Sequence, residues 1–471
     1  MGTRRSVFVY LPVFCIFSAF SSGQQISPRP LITQPVVESE LTTLRGNTHP
    51  LAQPKFDVGA APADLPLNRM LLVLKRSPEQ EHALHTLLDD QQDKASPHYH
   101  KWLTPEEFGT QFGPADQDLQ TVTGWLQLHG FAVNRVARGR SIIEFSGTEA
   151  QVEEALHTSI HKYAMNGEEH WANASDPQIP TALAPVVAGV ASLNNFPRKP
   201  LSKIMGTYSP TTKHVTRPNP EFTLQGWNCD QDNNCYAVGP ADFGTIYNVQ
   251  PLWNSGVDGT GQTIAIVGET DIKLQDIRDF RQVFGLPAKD PTVIYDGPNP
   301  GFQSDESEAD IDVEWSGAIA PNATVNFVAS ESTETTAGVD LSAIYIIDHN
   351  LAPVMSESYG ECELGLGSSG NQFYSTLWSQ AAAQGITVIL ASGDDGSNGC
   401  TYAPAKYGLN VSGFASTPYN VAIGGTDFHD LLTPQQYWNL NNSTPTQESV
   451  KGYIPELTCC LLYTSPSPRD A

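Results

Sequence analysis

Basic side chains are scarce in this 471-residue chain: 26 Lys and Arg stand against 51 Asp and Glu, for a formal net charge of −25. Phosphate recognition needs a basic face, so nucleic acid is excluded as a partner, and an anionic membrane surface is disfavoured for the same reason. The seven cysteines show no CxxC and no Cys/His ligand spacing, which removes a zinc site from consideration. Beyond the N-terminus, no stretch approaches the ~18 uninterrupted apolar residues of a membrane span. Two hydrolase signatures are also missing: no His-Gly-Thr-His and no Asp-Thr-Gly occurs. His349 and His429, the only histidines after residue 235, lie in no such motif. Histidine-based hydrolysis is therefore not expected.

What is present is a chain long enough for two or three domains, 39% hydrophobic and rich in Gly and Pro (38 and 35), as loop-rich globular proteins are. Most of the acidic excess falls after residue 200. Self-repulsion of that kind fades as carboxylates protonate near pH ~4, which fits either an acidic working environment or plain solubility. The N-terminus has Arg4 and Arg5, an apolar run from Val7 to Phe20, then Ser21, Ser22 and Gly23. This is a secretory signal layout over 1–23. Export makes disulfides the natural use of cysteine. Cys229 with Cys235 reads as a local bridge, and Cys362 with Cys400 as a pair across loops.

Residues 24–65 are Pro-rich and polar and are expected to form a poorly ordered lead-in. Over 66–196 strands and helices mix without strict βα alternation: 68–76 as a strand, 78–88 and 116–129 as helices, paired strands over 131–136 and 141–147, and a helix over 148–157. That is an independent α+β domain. Residues 197–235 read as an exposed linker. From 236 the pattern changes to apolar strands at 263–269, 323–329, 352–358 and 386–393. Helices near 272–284, 304–318, 338–348 and 371–384 separate them, an α/β pattern that argues for a parallel sheet covered on both faces. Chemistry in such sheets gathers at the carboxyl ends of strands.

Two acidic constellations stand out. The segment DESEADIDVEWSGAIAP (305–321) reads as an amphipathic helix on which Glu306 and Asp310, four apart, share a face. Two carboxyls in contact disfavour double ionisation, which suits general-base work in acid. The same spacing fits Glu308 with Asp312 and Asp310 with Glu314, so spacing does not choose, and a solvated acidic face would look the same. The second constellation is ILASGDDGSNG (389–399), where a buried strand runs into Asp394 and Asp395.

At these residues the chain resembles the sedolisins, the serine-carboxyl peptidases that include kumamolisin-like enzymes. SPHYHKWLTPEEFGTQFGP (96–114) with WLQLHGFAV is similar to their activation domain. YAVGPADFGTIYNVQPLWNSGVDGTGQTIAIVGE (236–269) is similar to the start of their catalytic domain, and the two acidic segments to their Glu/Asp helix and oxyanion Asp. The resemblance implies a subtilisin-like parallel-sheet catalytic domain over 236–459, preceded by a ferredoxin-like prodomain over 66–196. It implies Glu306 as the base that activates a serine, Asp310 behind it, and Asp394 as the acid that stabilises the tetrahedral intermediate. The expected partners are peptide substrates and the chain's own prodomain. Calcium is the implied cofactor, at a C-terminal loop that this sequence does not contain, so no metal ligand is assigned.

The family's Ser-Gly-Thr-Ser nucleophile motif does not occur. CLLYTSPSPRDA (460–471) breaks the preceding composition and reads as one frame of a sequencing adapter, so an incomplete catalytic domain is expected. Tyr359 stands where many members carry Trp. The leading expectation is a secreted endopeptidase precursor. A non-catalytic secreted binding or inhibitory protein on the same fold is the alternative, and a Ser-Gly-Thr-Ser motif further along the gene would decide between them. Nine of the twelve histidines precede residue 171. They make a pH-sensing prosegment a second expectation, with His98 and His100 as positions to test and Arg198, Lys199 and Lys203 as accessible cleavage sites.

Overall fold

The apolar run around Met70–Leu74 is continuous rather than alternating, and the computed structural model shows why. The strand Pro66–Leu74 is covered on both faces: Met70, Leu72 and Leu74 enter the prosegment's own core, whereas Leu71 and Val73 enter a second core shared with the following domain. The structure describes residues 28–165, 167–196, 198–200, 236, 238–393, 410–430 and 433–458, with short strand pairings at 208–209, 214–215, 224–225 and 234–235. The signal-like segment 1–23 and the tail 460–471 lie outside them.

Pro66–Leu74 is third in a four-stranded sheet, after Ala132–Val136 and Ile142–Thr148 and before Val187–Val190, every pair antiparallel. With helices Pro78–Gln92, Asp116–Leu128 and Glu149–Leu156 between the strands, this is the ferredoxin-like arrangement expected. Ser77 and Gln80 form a capping box at the first helix. Helix Pro105–Phe112, not anticipated, has the same device in Thr104 and Glu107 and packs against the long helix of the next domain.

The lead-in departs from expectation. Its Pro-rich composition reads as disorder, yet the backbone N–H groups of Leu31 and Ile32 donate to the Asp118 carboxylate at 2.8 and 3.0 Å. Leu41–Thr43 pairs with Gln178–Pro180, and Asp57–Ala60 joins the hairpin Ile160–Met165/Glu168–Asn173. Partners 86 or more residues away satisfy this segment, so local composition cannot reveal its order.

The second domain carries six parallel strands in the order Thr292–Tyr295, Thr324–Ala329, Thr263–Gly268, Val354–Glu357, Thr387–Ala391, Val421–Ile423. Helices Leu274–Val283 and Glu306–Ile319 cover one face through Ile277, Ala309 and Val313 against Ile266 and Phe327. Helices Gly338–Asp348 and Glu363–Ala383 cover the other. The last begins eight residues before its expected start and bends at Gly367, whose φ of 61° breaks the helical path. The carboxyl ends at Gly268, Ala329, Glu357 and Ala391 therefore lie along one edge.

The two domains meet through more than apolar contact. Asp296 accepts from Arg69 (2.6 Å) and Arg135 (3.2 Å), both of which also hold Glu144. The Leu103 N–H donates to the Ala383 carbonyl at 2.9 Å, and the Arg138 N–H to Asp348 at 2.9 Å.

Candidate active site

Helix Glu306–Ile319 presents acids at every second position from 306 to 314, and the fold sorts them onto different sides. Glu306 and Asp310 are brought together, and Asp276 from helix Leu274–Val283 joins them, with carboxylate oxygens all within 4.8 Å of one another. Lys273, at the start of that helix, places Nζ 2.5 Å from Glu306 Oε1. Burial, then the Asp276 and Glu306 charges, push the Asp310 carboxyl up to about 7.

Glu308 and Asp312 face inward instead. Glu308 is buried, and Asp312 accepts from Ser358 Oγ at 2.7 Å. Burial and the neighbouring Glu308 charge push the Asp312 carboxyl up to about 7, with the Ser358 hydroxyl opposing. Ser358 directly follows the carboxyl end of strand Val354–Glu357. The next residue, Tyr359, is fully buried and donates its phenol to Asp305 at 2.5 Å. Glu357, at the strand end, is also buried, and neither of its oxygens has a hydrogen-bond partner among the described residues. Burial first, then Asp340, holds its carboxyl well above the ordinary range. At the neighbouring strand end Glu269 accepts from Ser332 (2.6 Å) and the Gly338 N–H (3.2 Å), and burial pushes it up to about 7. Acids kept neutral near pH 7 can serve as hydrogen-bond donors in acid.

The prosegment reaches this edge. Lys199–Pro200 runs antiparallel to Tyr359–Gly360, beside Ser358. Arg198, expected to be an accessible cleavage site, is instead only 6% exposed and pairs with Glu361 and Asp340. Lys203 lies outside the described residues. His49 places Nε2 2.6 Å from Glu361 and stacks on Phe196 at 4.3 Å. His98 and His100 are exposed, so the burial that a histidine-driven opening at those positions requires is not there. The buried prosegment histidine is His49, which no motif marks.

Asp394, like Asp395, Cys229 and Cys400, lies outside the described residues. Cys362 is disulfide-bonded. A calcium site does not fit the acids gathered here, because the Lys273 ammonium already lies against the Asp276–Glu306–Asp310 group. Among the described residues, no helix is long and apolar enough to cross a membrane. Sequence reasoning missed Asp276 and Lys273, which sit on another helix, and the Arg198 seat, which no spacing encodes.

Two family models match the chain: the activation domain of pro-kumamolisin over residues 56–196 and the subtilase family over residues 297–450. Sedolisin of Pseudomonas sp. (strain 101) is 27% identical over 342 residues, covering 70% of this chain and 55% of that protein. Xanthomonalisin of Xanthomonas sp. (strain T-22) is 29% identical over 461 residues, covering 89% and 54%. Kumamolisin of Bacillus sp. (strain MN-32) is 25% identical over 401 residues, covering 83% and 67%. The chain thus spans little more than half the length of the first two relatives.

Proposed function

The chain belongs to the sedolisin family, and from that premise we propose that it is the precursor of a secreted serine-carboxyl endopeptidase that cleaves peptide bonds in acid. Glu308 is the general base, Asp312 holds it, and Asp394 is the acid at the developing oxyanion. The observation that carries this assignment is the Ser358–Asp312 hydrogen bond, which ties the inner pair to the strand edge along which Lys199–Pro200 lies extended. Glu306 and Asp310 instead face Lys273 and Asp276. Asp312 has Oδ2 without a hydrogen-bond partner among the described residues, so in acid its carboxyl proton can donate a hydrogen bond to the Glu308 carboxylate, which takes the proton of the serine. Imidazole would be charged and useless as a base in that range. The disulfide at Cys362 supports an oxidising, exported setting.

No Ser-Gly-Thr-Ser tetrapeptide occurs in this sequence. The reading therefore places the nucleophile in sequence beyond residue 458, in keeping with the share of its relatives that the chain spans. The test compares the 471-residue chain with a gene product carrying that motif, on a denatured protein at about pH 4. The first should be inert. In the second, Glu308→Gln should lower turnover by roughly three or more orders of magnitude, and Glu306→Gln far less. Equal losses would assign the base wrongly, and hydrolysis that survives without any serine motif would remove the serine reading altogether.

A further inference from the structure

Asp305 is the N-cap residue of helix Glu306–Ile319, yet its side chain does not cap that helix. Aspartate is favoured at such a position because its carboxylate accepts from the free amides of the first turn. Here the carboxylate is turned away from them and accepts from the Tyr359 phenol at 2.5 Å, 54 positions along the chain. Asp305 is 9% exposed and Tyr359 fully buried, so the contact is made out of reach of bulk solvent. A local cap that the sequence offers is forgone for a tie to another element.

The backbone carries this tie to Glu308. The N–H groups of Glu308 and Ala309 both donate to the Asp305 carbonyl, at 3.0 and 3.3 Å. Further along the helix, Asp312 accepts from Ser358 Oγ at 2.7 Å. Residues 305 and 312 are separated by close to two full turns, so they lie on one side of the helix with Glu308 between them. The consecutive residues Ser358 and Tyr359 therefore hold that side at two points, just past the carboxyl end of strand Val354–Glu357. One point alone would set the distance from helix to strand and leave the helix free to pivot; the second removes the pivot. Tyr359 also pairs with Pro200 through its backbone, so the same residue meets the extended chain at this edge.

We propose that Asp305 is a positioning residue for peptide hydrolysis: anchored by Tyr359, it sets where the Glu308 carboxylate stands against the strand edge that holds the extended chain. The proposal rests on the peptidase reading, with Glu308 as the base. Displacing a reacting group by about an ångström can cost ~10²-fold in rate. The stability at stake is smaller, because an Asp305 carboxylate released from Tyr359 can turn back and cap the helix.

The test uses the gene product carrying the Ser-Gly-Thr-Ser motif, with a fluorogenic peptide that it cleaves at about pH 4. Tyr359→Phe removes only the hydroxyl. Asp305→Ser keeps a favoured capping residue but is too short to reach Tyr359. Each should lower kcat by roughly 10- to 100-fold and leave KM within about twofold. The melting temperature should move by less than ~4 °C in either variant. Asp305→Asn, whose carbonyl oxygen still accepts from the phenol, should recover most of the lost kcat. A contact that is merely structural gives the reverse pattern, a lowered melting temperature at parental kcat, and that result overturns the proposal. So does a loss that Asp305→Asn fails to rescue. If Tyr359→Phe does not fold, the two Asp305 variants decide. A parent that cleaves and is indifferent to Asp305→Ser overturns the positioning role alone, whereas an inert parent overturns the peptidase reading and this proposal with it.

Discussion

Lys273 Nζ lies 2.5 Å from Glu306 Oε1, so the outer acids of the Glu306–Ile319 helix carry their own cation on the helix beside them. Lys273 also lies over the Phe302 ring, 4.7 Å from its centroid. The pair is about half exposed on the lysine side, so its worth is modest. Lys273→Met should lower the melting temperature by about 1–3 °C at pH 7, because Asp276, Glu306 and Asp310 then repel one another unrelieved. Near pH 4, where carboxyls take up protons, the difference should vanish. Thermal denaturation at both pH values measures it, and an equal drop at both would refute the electrostatic account.

Asp312 makes the opposite prediction. Its carboxyl sits at about 7 in the folded chain against 3.8 as an isolated side chain. Between those values the folded state keeps a proton that the unfolded state has lost, so this group's contribution to stability declines as pH rises from 4 to 7. Asp312→Asn removes that decline and can still accept from Ser358. It should raise the melting temperature at pH 8 by roughly 2–6 °C and leave it nearly unchanged at pH 4. Differential scanning fluorimetry across the range reads this directly; a lower melting point at pH 8 would contradict it.

Glu361 titrates in the other sense. Because Arg198 and His49 hold its carboxyl below the ordinary 4.5 despite burial, its share of the prosegment's seat is complete above that value and lost as pH falls through the lowered one. Hydrogen exchange at the Arg198 and Lys199 amides, corrected for intrinsic rates, should show constant protection above pH 5 and a fall below pH 4. In Glu361→Gln, protection should be low throughout. A pH-independent wild type would exclude Glu361 as the acid-sensitive element.

Close packing gives a fourth prediction. Gly385 adopts φ +77°, and a Cβ there would lie 2.5 Å from Trp102 of the prosegment. Gly385→Ala adds a left-handed alanine and a clash across the domain seam, so it should destabilise the chain by about 1–3 kcal/mol. Trp102→Ala in the same chain should relieve part of the loss. Urea denaturation of the single and double variants measures the coupling.

The elements that the sequence made legible are those whose burial repeats locally. The strand around Thr263–Gly268 and the helices Asp116–Leu128 and Gly338–Asp348 carry their apolar pattern within a dozen residues. The ferredoxin-like prosegment and the parallel sheet follow from such patterns. The choice within the acidic helix does not, because acids spaced by two residues satisfy two interleaved sets of i,i+4 contacts. Only Lys273 on one side and Ser358 on the other separate them, and both belong to other elements. Arg198 was unreadable for a related reason. A basic residue among prolines looks like an exposed linker, and its burial depends on Asp340 and Glu361 far along the chain.

The apolar core that Leu71 and Val73 share with Leu377 and Trp378 has a kinetic meaning. Contacts across this seam join residues far apart in the chain, as Arg76 and Ser379 do at 303 positions apart. Such closure is slow, since chain entropy is lost long before the contact forms. Helix Glu363–Ala383, buried along most of its length, packs on that side against the prosegment sheet. The prosegment sheet thus supplies part of the wall against which that helix packs. The native core of the second domain is completed by Leu71, Val73 and their neighbours, which lie upstream of that domain and outside it.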